Sequence, residues 1–238
     1  MVSQLERARG LRETKTLLDV PDILMTSDYL SPQWDRAALV MIDVQRDTLD
    51  GQPLEIPGTS AALPQIERLV EVFRKLGKPI VHVVRIYKTD GSNVDVCRRS
   101  AVEDGQPLLA AGSLGCEIAA ELLPNEMVRL DVDHLLSGGI QEIGDSEVII
   151  YKARWGAFYE TPLQQYLNDQ AISTLIFAGC NFPNCPRTSL YQASERDFRI
   201  VLASDALSGL YPQGLAELRN IGIRDMTTSE IIANGLLS

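Results

Sequence analysis

Three residues carry side chains capable of nucleophilic acyl chemistry and stand where that chemistry needs them: Cys185, Lys152 and Asp43. Cys185 lies in Gly179-Cys180-Asn181-Phe182-Pro183-Asn184-Cys185-Pro186-Arg187-Thr188, and Pro186 suits the first turn of a helix. The thiol is thereby placed at or beside a helix N-cap, where unpaired amides and the helix dipole favour a thiolate and can receive a developing oxyanion. An ammonium at Lys152, brought close, lowers a thiol pKa. Asp43, in Met41-Ile42-Asp43-Val44-Gln45, can act as a general base towards a thiol. Each also has a plainer reading: an inert buried cysteine, a solvated lysine, and an aspartate capping a turn or pairing with an arginine.

The elements that must position these residues are short apolar runs. Residues 37–42, 79–84, 147–151, 174–178, 198–203 and, more weakly, 222–226 read as about six strands covered on both faces. Between most of them lie segments of helical spacing at 63–76 (stopped by Gly77), 162–167, 185–197 and 212–219. This alternation predicts an α/β fold, a three-layer doubly wound sheet, mostly parallel, whose ligands sit beyond the carboxyl ends of the strands. Asp43 and Lys152 each directly follow such a run, and Cys185 follows the fourth after a short turn. Residues 87–145 fit the alternation least well, with a turn signal at Asp90-Gly91-Ser92-Asn93 and a helix-like patch at 118–123. That stretch reads as a lid or subunit contact, and residues 1–35 as an arm ahead of a domain at 36–238.

Composition narrows the function classes. The chain has 238 residues, 45% hydrophobic and 23% charged, enough for one substantial core. Its formal net charge of −10 works against nucleic-acid binding, which needs clustered Lys and Arg. No apolar run is long enough to span a bilayer, and the first residues lack a secretory layout, so a cytoplasmic protein acting on a small molecule is expected. Cys97, Cys116, Cys180 and Cys185 form no zinc-ligand pattern, and no metal or cofactor is expected.

Taken together, these segments resemble the isochorismatase-like cysteine hydrolases. The carriers are Val40-Met41-Ile42-Asp43-Val44-Gln45, then Lys152-Ala153-Arg154-Trp155-Gly156-Ala157-Phe158 with Thr161 and Leu163, then Ala178-Gly179 through Cys185 with Thr188. The resemblance implies an Asp43–Lys152–Cys185 triad, a cis Cys180–Asn181 peptide, and an oxyanion hole from the amides of Asn181 and Cys185. It also implies two-step acyl transfer through a thioester and a homodimer or homotetramer. The branch it favours contains carbamoylsarcosine, ureidoacrylate and biuret hydrolases. Nicotinamidases bind a metal through histidines after the second strand, where this chain has Val84-Arg85-Ile86-Tyr87; a retained cysteine argues against isochorismatase activity.

For the pocket, Trp155 and Phe182 can form aromatic walls or pack in the core. Arg85 and Tyr87 can hold a substrate carboxylate or ureido oxygen, with Arg154 and Arg187 as rivals. Two other function classes compete: a catalytically silent interaction protein, and a thiol-redox protein using Cys180 and Cys185, whose spacing is wrong for CxxC.

Overall fold

The computed structural model describes residues 29–236, so most of the expected arm at 1–35 lies outside the described residues. Its strands are β1 (Ala37–Ile42), β2 (Ile80–Val84), β3 (Ile140–Gly144), β4 (Glu147–Tyr151), β5 (Thr174–Gly179), β6 (Arg199–Leu207) and β7 (Arg224–Met226). They form one seven-stranded sheet in the order β3-β4-β2-β1-β5-β6-β7. All neighbours run parallel except β3, which turns back on β4 as an antiparallel edge. Six strands are those read from the apolar runs. The seventh, β3, is half exposed and carries Gln141 and Glu142, so no continuous apolar stretch marks it.

The strands are apolar throughout because each feeds two cores. Leu39 and Met41 of β1 point to one face, where Ile66, Leu69 and Phe73 of helix α1 (Thr59–Lys75) cover them. Ala38, Val40 and Ile42 point to the other. There the cover is Leu163 and Leu167 of a short helix (Leu163–Asp169), Leu190 and Ala193 of a second (Cys185–Ser194), and Leu218 of a third (Pro212–Arg219). Burying each large aliphatic or aromatic side chain contributes roughly 1.5–3 kcal/mol. These two packed faces give the three layers expected.

Residues 87–145 contain short turns at Val96–Arg98, Leu114–Cys116 and Ala120–Leu122 and small helices at Arg99–Glu103 and Val132–Leu136. In chain order the seven α-helices among the described residues are hereafter α1 (Thr59–Lys75), α2 (Arg99–Glu103), α3 (Val132–Leu136), α4 (Leu163–Asp169), α5 (Cys185–Ser194), α6 (Pro212–Arg219) and α7 (Thr228–Ile231). Among the described residues no helix is long and apolar enough to cross a membrane.

Chain order fixes where a ligand can sit. From central β1 the chain builds outward through β2 and β4 on one side, then returns to build β5, β6 and β7 on the other. The direction reverses between β1 and β5, and the crevice of such a sheet opens at that switch point beyond the strand carboxyl ends. Gly179 makes the approach of these two strands possible. Its φ is +121°, and a Cβ there would stand 2.2 Å from the Ile42 carbonyl oxygen. Gly179→Ala is expected to lower unfolding free energy by about 3 kcal/mol, measured by urea denaturation. Unchanged stability would mean that β1 and β5 tolerate separation at this point.

Candidate active site

Parallel register turns four sequence positions into neighbours. Lys152, Arg85, Asp43 and Cys180 each follow the last residue of β4, β2, β1 and β5, which lie side by side in that order. Asp43 takes a left-handed conformation, φ +53°, which Asp tolerates better than most residues. Its amide still donates to the Val83 carbonyl at 2.9 Å, so the chain leaves the sheet sharply with the carboxylate held at the rim. Gln45 staples β1 to β2: its side-chain amide donates to the carbonyls of Arg85 and Cys116 and accepts from the Arg85 N–H. After β5, the Cys180–Asn181 peptide is cis, as the resemblance implies, and residues 181–184 lead to Cys185 at the start of α5.

The geometry brings the three chemical residues together. Lys152 Nζ lies 2.8 Å from Asp43 Oδ2 and donates to Cys185 Sγ at 3.3 Å. Lys152 is fully buried, and Asp43 and Cys185 are 7% and 4% exposed, so these groups interact in a poorly screened setting. Asp43 Oδ1 finds no donor among the described residues and is left as an acceptor. The thiol pKa is pushed up to about 11, first by burial and next by the Asp43 carboxylate, while Lys152 and Arg85 pull it down. The lowering effect expected from Lys152 is present but outweighed, so the resting sulfur carries its proton.

The surroundings divide the other sequence candidates. The amides of Asn181 and Cys185 donate to no backbone acceptor among the described residues. Arg85 is buried at 1% exposure, with Nη1 donating to Asp95 Oδ2 and to the Ala153 carbonyl, each at 2.8 Å. Tyr87 donates its O–H to the same Asp95 oxygen at 2.7 Å, which makes it a support for the arginine side of the site. Trp155 lies beneath two guanidiniums, Arg98 at 4.8 Å and Arg85 at 5.7 Å from its ring centroid, so it stacks on arginines.

Phe182 does not wall the site. It is fully buried in the core, edge-on to Tyr211 at 5.3 Å and facing Gly214 beneath α6. Arg154 caps the Asn93 and Ala153 carbonyls in an exposed position, and Arg187 is occupied by Glu217 and Tyr211. Cys180 keeps its thiol against the Asp43 carbonyl at 3.0 Å, fully buried, and burial pushes its pKa up to about 12. All four cysteines are free. His82 pairs with Glu147 at 2.6 Å, and His134 meets the Ile140 carbonyl; neither lines the cavity at Cys185.

Asp43, Arg85, Arg98, Leu109, Asn181 and Cys185 are among the residues that line a cavity of about 20 Å³, room for one water. Larger hollows of about 220 to 550 Å³ lie elsewhere and contain none of the three residues. Arg98 is the site residue the sequence reading missed. It lies in residues 87–145, where neither period nor strand end marks it, although Cys97-Arg98-Arg99 just after Asp95 was a legible basic cluster.

A thiol held protonated has a measurable signature. In a Cys97→Ser background, alkylation of Cys185 by iodoacetamide is expected to rise about tenfold per pH unit up to roughly pH 10. A plateau near pH 8 in peptide mass spectrometry would show a preformed thiolate instead.

Comparison with known proteins bears on the chain and its fold as a whole. Residues 37–230 match the isochorismatase domain family. A probable inactive nicotinamidase of Arabidopsis thaliana is 26% identical over 209 residues, covering 84% of this chain and 97% of its own. The N-carbamoylsarcosine amidase of an Arthrobacter species is 26% identical over 179 residues, covering 75% of this chain and 61% of its own. An isochorismatase family protein from Desulfovibrio vulgaris superposes with a TM-score of 0.71 at 28% identity, over 83% of this chain and 96% of its own. With the domain match running from the first residue of β1 to α7, this chain belongs to the isochorismatase family.

Proposed function

We propose that this protein is a metal-independent cysteine amidohydrolase that cleaves the C–N bond of a small amide, carbamoyl or ureido compound. The observation that carries the reading is the contact of Lys152 Nζ with both Asp43 Oδ2, at 2.8 Å, and Cys185 Sγ, at 3.3 Å. A lysine pairing one carboxylate and one thiol in a water-poor rim supplies a base, a nucleophile and a charge that orders both. The named amidase among the relatives supports the same bond class.

The steps follow from the charge balance. Asp43 accepts the thiol proton as Sγ bonds to the substrate carbonyl carbon, and Lys152 stabilises the sulfur as it gains negative charge. The carbonyl oxygen becomes an oxyanion, received by the amides of Asn181 and Cys185. Collapse of the tetrahedral intermediate breaks the C–N bond, and the proton on Asp43 goes to the departing ammonia or amine. Water then attacks the thioester, giving up a proton to Asp43; the product acid leaves and the proton returns to sulfur. Every group in this cycle ends as it began.

The test is ammonia release from a panel of small amides, carbamoyl and ureido compounds in the presence of a chelator. Cys185→Ala is expected to lower kcat/KM by at least about 10³-fold, and Asp43→Asn by about 10²–10⁴-fold with the fold intact by circular dichroism. Turnover that survives in Cys185→Ala would sink the nucleophile assignment. Absence of wild-type turnover across the panel, with Cys185 no more reactive than Cys97, would favour a silent member of the family.

A further inference from the structure

A third, small core lies beside the strand ends, and one aspartate ties it to the site. Tyr87, Val94, Leu108 and Leu109 bury one another, with Leu54, Ala101 and Val102 packed against them. Of these, Leu54 and Leu109 also line the cavity at Cys185. Leu109 is 2% exposed and its φ is +44°, a left-handed conformation that a leucine keeps only where its neighbours hold it. The hold is visible on both sides: the Leu109 carbonyl accepts from the Tyr87 amide at 2.9 Å, and the Leu109 amide donates to Asp47 Oδ2 at 2.7 Å.

Asp47 is the less expected of the two partners. It is 3% exposed in the turn at Arg46–Thr48, and among the described residues no Lys, Arg or His pairs with it. The Leu109 amide, 62 residues further along the chain, is the single donor to its carboxylate among the described residues. A buried carboxylate is costly unless something compensates it, so a position that spends one on a leucine amide points to a task for that leucine. The turn at Leu114–Cys116 is shaped around the same carboxylate: a Cβ on Gly115 would stand 1.8 Å from Asp47 Oδ1. The Asp47 carbonyl accepts from the Leu54 amide at 3.0 Å, so this one residue fastens both leucines that line the cavity.

We propose that Asp47 is a positioning residue for Cys185: by holding the Leu109 amide it keeps the Leu109 side chain as an apolar wall that shields the thiol and its charged neighbours from water. Those neighbours are Asp43 after β1, Arg85 after β2, Arg98 from the turn at Val96–Arg98 and Lys152 after β4. Water admitted among them would screen the attraction of Lys152 for a thiolate and of the Asn181 and Cys185 amides for an oxyanion. It would also relieve the burial that pushes the thiol pKa up to about 11. Loss of the wall thus makes the thiol easier to ionise and the reaction slower. The second effect rests on the hydrolase reading; the first does not.

The test begins with alkylation of Cys185 by iodoacetamide at a fixed pH below the thiol pKa, in wild type, Leu109→Gly, Asp47→Ala and Asp47→Asn, all with Cys97→Ser. Glycine accepts a positive φ, so Leu109→Gly removes the wall without straining the turn. Leu109→Gly and Asp47→Ala are each expected to raise the rate at Cys185 at least about tenfold, with the buried Cys116 still unreactive as a sign that the fold is intact. Asp47→Asn keeps an oxygen for the Leu109 amide and is expected to stay within about threefold of wild type. The double variant Leu109→Gly with Asp47→Ala is expected to match Leu109→Gly alone, because Asp47 then has nothing left to position. If Asp47→Ala does not fold by circular dichroism, Gly115→Ala displaces the carboxylate from outside and takes its place in the comparison.

Turnover supplies the second readout. On whichever amide of the panel the wild type hydrolyses, kcat is expected to fall at least about tenfold in Leu109→Gly and Asp47→Ala while alkylation rises. Faster alkylation in these variants without turnover in any form keeps the positioning role and removes the hydrolase. An Asp47→Ala protein that folds, alkylates and turns over as wild type does overturns the positioning role and leaves the hydrolase standing. Effects that multiply in the double variant likewise overturn it, since Asp47 would then act on the thiol by another route.

Discussion

The site depends on one buried ion pair. Lys152 has no exposed surface, and removing an ammonium from water costs several kcal/mol unless a partner repays it. Asp43 is that partner at 2.8 Å, and Lys152 also donates to Cys185 Sγ and to the Arg154 carbonyl at 3.3 Å. The pair spans two strands that are not neighbours: β2 lies between β1 and β4. It therefore holds only if β4, β2 and β1 end at the same height. The observed pairings, Ile42 with Val83 and Val84 with Tyr151, supply that alignment, and Gln45 fixes the chain just beyond it. Shifting one strand by a residue would turn the lysine to the opposite face and leave two buried charges apart.

The same pair bears on how the thiol would act in the proposed cycle. A cysteine at 4% exposure beside a carboxylate keeps its proton, as the rise to about 11 expresses. Without Lys152 and Arg85 the sulfur would gain charge beside an anion in a poorly hydrated place, and attack would be opposed at every step. With them, the transfer from Sγ to Asp43 moves charge within an existing cluster of fixed sign. A resting thiol with an adjacent base is also protected from adventitious oxidation, because the thiolate is the reactive form. In the proposed cycle the nucleophile is produced when a carbonyl is present and is not held ready in advance.

How much of this was legible follows from where each residue sits. Asp43 and Lys152 end apolar runs, and Cys185 follows one by a Pro- and Asn-rich turn, so the period of the sequence marks them. Strand β3 escaped because an antiparallel edge needs burial on one side only, and Glu142 and Gln141 break the apolar run. Phe182 was ambiguous for a different reason. Three residues before the cysteine, it could face site or core, and only the close passage of α6, with Gly214 and Tyr211 against its ring, decides for the core. The net direction of the thiol shift was beyond reach as well: Lys152 and Asp43 act on it in opposite senses, and the balance depends on burial that no spacing reveals.

Arg98 and Asp95 carry the wider lesson. They lie in the stretch that has no regular period, and their partnership with Arg85 and Tyr87 is made by a turn folding back over the strand ends. Strands impose alternation and register, so residues at their ends stand where the period of the sequence marks them. A turn imposes neither, so the residues that sort one substrate from another can change there without disturbing the sheet. The family fold and the positions of Asp43, Lys152 and Cys185 are thus readable from motif order, whereas the contacts of Arg98 and Asp95 are made only by the folded turn. Arg85 joins the two, since it follows a strand end yet has its guanidinium held by Asp95 from the turn and by the Ala153 carbonyl.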